Sequence, residues 1–212
     1  MDNIALFKGI NDGGLDELLG YLRAESKVYK KNDVIWKKGE KISDIALVLA
    51  GRVKFCGNNA DGETVYGFAG DSQIFGADVI CQGAKIAPFD FVAVKQTGVL
   101  FIPFKKIVTY DEKLEKWQGK LIKNLFEIIA GENLKMRKRL FFLEKKSIRE
   151  KVMALLNFEA GLSGKKSFLL PFSRESMADY LCVDRSALSR ELSNLQKDKI
   201  IEFNRNEFTL PD

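Results

Sequence analysis

Phe172-Ser-Arg-Glu-Ser-Met-Ala-Asp-Tyr-Leu-Cys-Val-Asp-Arg-Ser-Ala-Leu-Ser-Arg-Glu-Leu-Ser-Asn-Leu195 is the most informative stretch of this chain. Ser173 is a helix-capping residue, and Met177, Ala178 and Leu181 follow it as the inward positions of a short helix. The pattern breaks at Cys182-Val183. Asp184 then supplies a second cap, and Leu188, Leu192 and Leu195 return at helical spacing. Two short helices joined by a turn of about three to four residues make a helix-turn-helix. Small Ala178 lets the two helices approach closely. With the leucines facing inward, Ser186, Ser189, Arg190 and Ser193 lie away from the stripe, and Arg185 stands in the exposed first turn; these five and Ser173 are the candidate DNA-binding residues. The planar fork of arginine donates two parallel bonds to guanine O6 and N7 in a major groove. Short serines beside it let a helix sit deep and bond to phosphates or base edges. The same pattern also suits a plain helical pair in a bundle, which periodicity alone does not exclude.

The flanks extend the motif. Ser147-Ile-Arg-Glu150 has the spacing of a capping box, followed by Ile148, Val152, Leu155 and Leu156, and Gly161-Leu-Ser-Gly164 ends that helix. Phe168–Leu170 reads as a strand stopped by Pro171. Ile200–Phe203 and Phe208–Leu210 flank Asn204-Arg205-Asn206-Glu207, a hairpin with the form of a wing. Charge adds no support for nucleic acid, since residues 147–212 hold ten basic and ten acidic side chains.

Upstream, residues 111–146 read as one long helix. Ile122, Phe126, Ile129, Asn133, Met136, Leu140 and Leu143 follow a heptad seam with one polar member, Asn133. Such a stripe can pack on its own domain. A helix of roughly 50 Å is too long for a domain of this size to cover, which favours an intermolecular seam. Ten basic residues against six acidic ones here describe a solvated face.

The first 110 residues differ in kind. Thirteen of the 17 glycines lie at or before Gly98, and they punctuate short β-type runs: Val34-Ile-Trp, Ile45–Leu49, Arg52–Cys56, Val65–Phe68, Phe91–Val94 and Val99–Ile102. Asp61-Gly62 suits a hairpin turn. Leu15, Leu18, Leu19 and Leu22 mark a short helix before the strands. Many short strands at this spacing predict a small antiparallel barrel or sandwich. The fold class is therefore α+β in three parts: residues 1–110, 111–146 and 147–212.

Composition removes several functions. The chain has 212 residues and no histidine, which excludes serine–histidine and cysteine–histidine catalysis and histidine-held haem or zinc. A metal enzyme on a β-roll fails on the same ground, so no enzyme is expected. Three cysteines at wide spacing fit neither a disulfide framework nor a zinc knuckle. No apolar run approaches the ~20 residues that cross a bilayer, and Met1–Lys8 has no signal layout. A cytoplasmic protein without membrane contact is expected.

Ser173–Leu181 and Val183–Leu192 resemble the helix-turn-helix of the Crp/Fnr transcription regulators. Leu6-Phe-Lys-Gly-Ile, Lys38-Gly39, Leu49-Ala-Gly-Arg-Val53, Gly70-Asp71 and Phe75-Gly76 resemble that family's β-roll. The resemblance covers nearly the whole chain. It implies a cyclic-nucleotide-binding-like β-roll (a double-stranded β-helix), a long dimerisation helix and a C-terminal winged helix-turn-helix. It implies a homodimer on a near-palindromic double-stranded DNA operator, with Arg185, Ser186 and Arg190 reading bases. RNA polymerase follows as a further partner. Cys182 departs from the pattern, because the turn often has Gly there.

The same resemblance shows what the roll lacks. Relatives that bind cyclic nucleotides follow Phe-Gly with a Glu for the ribose, then carry an Arg-Ser or Arg-Thr for the phosphate. Here Ala77 follows Gly76, and Ala87-Pro88 stands where the Arg pair belongs; Asp78 replaces the acid only after a slip of one residue. Cyclic AMP is therefore not expected, nor haem, nor an iron–sulfur cluster, which takes about four cysteines. The loop Val79–Phe91 is apolar and suits a small organic effector. Gly76, Ala77, Asp78, Cys81, Phe89 and Phe91 are the candidate pocket, with Cys81 expected as a small buried hydrophobe. The other reading is a constitutive DNA-binding protein whose sensor is vestigial.

Overall fold

The structure is a computed structural model that describes residues 4–10, 12–59, 62–83 and 85–211. It falls into two compact units, Met1–Gly131 and Glu132–Asp212. The expected turn at Asp61-Gly62 lies partly outside the described residues.

In the first unit, helix α1 (Asp12–Leu22) precedes the strands β1 (Glu25–Tyr29), β2 (Val34–Trp36), β3 (Asp44–Ala50), β4 (Arg52–Asn59), β5 (Gly62–Gly70) and β6 (Ile74–Phe75). Helix α2 (Ala77–Cys81), strands β7 (Asp90–Ala93) and β8 (Thr97–Pro103) and helix α3 (Phe104–Val108) follow. All pairings are antiparallel, in two four-stranded sheets ordered β1-β8-β3-β6 and β2-β7-β4-β5. This is the β-roll.

Two glycines are required by the chain's path. At Gly51, φ is 119° and a Cβ would come within 2.5 Å of Thr97 Oγ1, so only glycine turns the β3–β4 corner against β8. At Gly76, φ is 77° and a Cβ would stand 2.7 Å from the Trp36 ring. That ring centres an aromatic cluster, with Phe75 at 5.2 Å, Phe91 at 5.3 Å and Phe101 at 5.8 Å between centroids. Phe55 joins it at 5.0 Å from Phe91. These rings fill the space between the sheets with edge-on and tilted contacts, and Phe75 stacks on Phe91 at 5.5 Å.

Helix α4 (Glu115–Leu143) begins in this unit, where Leu114, Trp117, Leu121 and Leu125 are buried in the roll's core. Asn124 and Lys120 fix the N-terminal segment to it. The Asn124 amide donates to the carbonyls of Leu6 and Lys8, both at 2.9 Å, and Lys120 Nζ to that of Gly9 at 2.8 Å.

The second unit holds the end of α4, helix α5 (Ile148–Ser163), strand β9 (Ser167–Leu169), helices α6 (Arg174–Leu181) and α7 (Arg185–Lys197), and strands β10 (Glu202–Asn204) and β11 (Glu207–Thr209). Ser147 caps α5 through a complete capping box, and Gly164 ends it at φ 63°. The sheet order is β10-β11-β9. The core gathers Phe142, Val152, Leu155 and Leu156 with Met177, Ala178, Leu181, Leu188, Leu192, Leu195, Ile201 and Phe208. The six inward positions expected of the two short helices are all buried.

Candidate nucleic-acid interface

Local capping builds the α6–α7 pair. Ser173 Oγ accepts from the Ser176 amide at 3.1 Å and starts α6. Cys182 then turns left-handed at φ 50°, the Val183 amide bonds back to Ala178 O at 3.0 Å, and α6 stops. Asp184 Oδ1 accepts from the Ala187 amide at 2.8 Å and starts α7.

Leucines occupy one side of α7, and Arg185, Ser186, Ser189, Arg190 and Ser193 are exposed. Two of the five fold back on their own helix: Arg190 Nε donates to Ser186 O at 3.4 Å, and Ser193 Oγ to Ser189 O at 3.1 Å. Ser173 stands apart from them at the start of α6, where its hydroxyl is engaged by the cap and lies 2.9 Å from Ser176 Oγ. The α7 face thus offers guanidinium and hydroxyl groups and no carboxylate, a set that donates to guanine acceptors and to phosphates.

The wing is braced from α6. Arg174 Nη2 donates to Arg205 O, at 2.5 Å, in the turn between β10 and β11, and its guanidinium lies 4.8 Å from the Phe203 ring and 5.0 Å from the Phe208 ring. Burial holds the Arg174 pKa below the usual arginine range. Arg149, at the start of α5, is paired with Asp198 at the end of α7 and lies 3.8 Å from Glu191 Oε1. None of these links has a sequence signal, since the partners lie 29 to 49 residues apart.

On α4, Phe126 is 72% exposed, Met136 69% and Leu140 58%, and Asn133 is exposed with them. Ile122 is exposed, Leu143 is half-buried, and Ile129 is half-buried against the roll's core.

The candidate effector residues separate into two groups. Gly76, Ala77 and Phe91 are buried, with Gly76 and Phe91 both against Trp36. Phe89 is half-buried and stacks on Tyr66 at 4.5 Å. Asp78 and Cys81 are exposed on α2. Cys81 is therefore not the buried hydrophobe that its apolar neighbours suggested: α2 turns it outward while Val79 and Ile80 take the inner positions. Partial burial, with Asp78 nearby, still pushes its thiol pKa up. The three cysteines stand on β4, on α2 and in the α6–α7 turn, which does not fit the four-thiolate set of an iron–sulfur cluster.

The chain matches the cyclic nucleotide-binding domain family over residues 26–110 and the Crp-like helix-turn-helix domain family over residues 150–212. It is 29% identical over 178 residues to the transcriptional activator protein FnrL of Cereibacter sphaeroides, covering 79% of this chain and 68% of that one. It is 24% identical over 189 residues to the transcriptional activator protein FnrA of Stutzerimonas stutzeri, covering 86% and 75%. Among solved structures, the c-di-GMP responsive global regulator CLP of Xanthomonas campestris aligns with a TM-score of 0.58 at 14% identity, over 95% of this chain and 100% of that one. A cyclic-nucleotide-binding-type roll, a long helix and a Crp-type helix-turn-helix in this order place the chain in the Crp/Fnr family of transcription regulators.

Proposed function

We propose that this chain acts as a homodimer that reads an inverted-repeat operator through α7. The observation that carries it is the α7 face, where Arg185, Arg190 and three serines are exposed on a helix whose buried residues are Leu188, Leu192 and Leu195. Dimerisation is supported by the row of Phe126, Met136 and Leu140 along α4, apolar side chains left in solvent at heptad spacing. A two-fold dimer sets its recognition helices about one turn of DNA apart, roughly 34 Å, so half-sites should be centred about 10–11 base pairs apart. Such a protein works in the cytoplasm, with RNA polymerase as its partner at the promoter. Among the described residues no helix is long and apolar enough to cross a membrane.

Selection of binding sites from random DNA tests this. A palindrome with that spacing is the expected result, and failure to enrich any palindrome overturns the proposal.

A second reading concerns control. The Trp36, Phe55, Phe75, Phe91 and Phe101 rings occupy the interior of the roll. That filling supports a constitutive regulator with a vestigial sensor over one gated by an organic effector. Operator affinity measured with and without cell extract separates the two.

A further inference from the structure

Three consecutive carbonyls at the end of α6 are taken by cations from other helices. Arg139, near the end of α4, donates from Nε to Tyr180 O at 3.0 Å and from Nη2 to Asp179 O at 3.2 Å. Lys151, on α5, donates from Nζ to Leu181 O at 3.2 Å. The last carbonyls of a helix lack intrahelical donors and carry the negative end of its dipole, so cations there bind the helix end firmly. Arg139 Nη2 also lies 3.4 Å from Cys182 Sγ, and its guanidinium is 5.6 Å from the Tyr180 ring.

Cys182 holds a left-handed conformation at φ 50°. Glycine takes that conformation freely, and a residue with a Cβ resists it. The thiol compensates by touching the guanidinium and by approaching Asp179 O at 3.7 Å. The turn is therefore held from outside, by a side chain of the long helix. It is also short: Cys182, Val183 and Asp184 alone separate α6 from α7, so whatever fixes the turn fixes the direction in which Arg185 and α7 leave it. On α4, Arg139 directly precedes Leu140, one of the exposed apolar residues of the heptad row.

We propose that Arg139 is a positioning residue for DNA reading, tying the α6–α7 turn to the seam-bearing end of α4 and so aiming α7. This inference rests on the reading of α7 as the DNA-reading helix.

The experiment uses the full chain and the operator that the wild type selects. Arg139→Gln should lower operator affinity by about tenfold, the scale of one charge-assisted bond lost. The selected consensus and the slope of log affinity against log salt should stay at wild-type values, because no phosphate or base contact is lost. Arg139→Lys, a point charge in place of a fork, should recover part of the loss. Cys182→Gly frees the turn from its strain, so in that background the same Arg139→Gln change should cost clearly less.

Wild-type affinity in Arg139→Gln overturns the inference. So does a salt slope reduced by about one per contact, which would make Arg139 a phosphate ligand. Equal losses with and without Cys182→Gly would show that the guanidinium does not act through the turn. If Arg139→Gln does not fold, Arg139→Lys with and without Cys182→Gly carries the same comparison. A wild type that selects no site overturns the DNA reading itself, and this inference with it.

Discussion

Ser147 and Glu150 cap each other at the start of α5: the Glu150 amide donates to Ser147 Oγ at 3.1 Å, and the Ser147 amide donates to Glu150 Oε2 at 3.2 Å. The Lys146 amide shares the same carboxylate oxygen at 2.9 Å. Ser147→Ala should destabilise the second unit by about 1 kcal/mol, and Ser147→Gly by only a few tenths. Thermal unfolding followed by circular dichroism checks this. An alanine variant as stable as the wild type would mean that solvent serves these amides equally well.

The α4 row makes a second test. Phe126 and Leu140 are exposed apolar side chains, so replacing both by Asp leaves the two cores intact and places charges where a partner helix would lie. Light scattering should then report monomers, and a persistent dimer would put the contact elsewhere. Ile129 is unsuited to this test, because it packs against the roll's own core. Asn133→Leu should keep or tighten the dimer while loosening its register.

What the sequence reveals and what it hides follow from the range of each signal. A cap needs residues three apart, and a leucine stripe needs one helix, so Ser173, Asp184, Leu188, Leu192 and Leu195 announce α6 and α7 by themselves. Strand β1 announces nothing. Glu25–Tyr29 is exposed through Val28 and only half-buried at Tyr29, so it lacks alternation and owes its place to pairing with β8. Strand β6, two residues long, is equally silent. The bonds of Arg139 and Arg174 depend on partners dozens of residues away, and no local pattern encodes them. Cys81 misled because its sequence neighbours are apolar, while a single turn of α2 decides which of them faces in.

Cyclic nucleotides should not bind. A cyclic phosphate needs a fixed cation or a nest of donors. Ala77 is buried at the first position of α2, and Ala87 is 1% exposed and joined through its amide to Glu40 O at 2.8 Å. The one basic residue between Gly76 and Lys95 is Lys85, which is exposed, and its carbonyl accepts from the Ile42 amide at 2.9 Å. Calorimetric titration with cyclic AMP and cyclic GMP should show no saturable heat. A micromolar Kd for either would reverse this assignment of the roll.

Arg190 separates base reading from phosphate anchoring. It stands on the α7 face opposite Leu188 and Leu192, and in the free protein its Nε rests on Ser186 O at 3.4 Å. That long bond gives way readily to a better acceptor. If the guanidinium turns outward to take guanine O6 and N7 together, Arg190→Ala should cost about 1–3 kcal/mol per half-site and relax preference at one symmetric base pair. A phosphate contact would instead weaken all sequences alike and lower the salt slope by about one per contact. Site selection with the wild type and with Arg190→Ala, followed by titration at several salt concentrations, distinguishes the two. We expect a consensus that loses its guanine at one symmetric position, and an unchanged consensus would assign base reading to Arg185 and the serines alone.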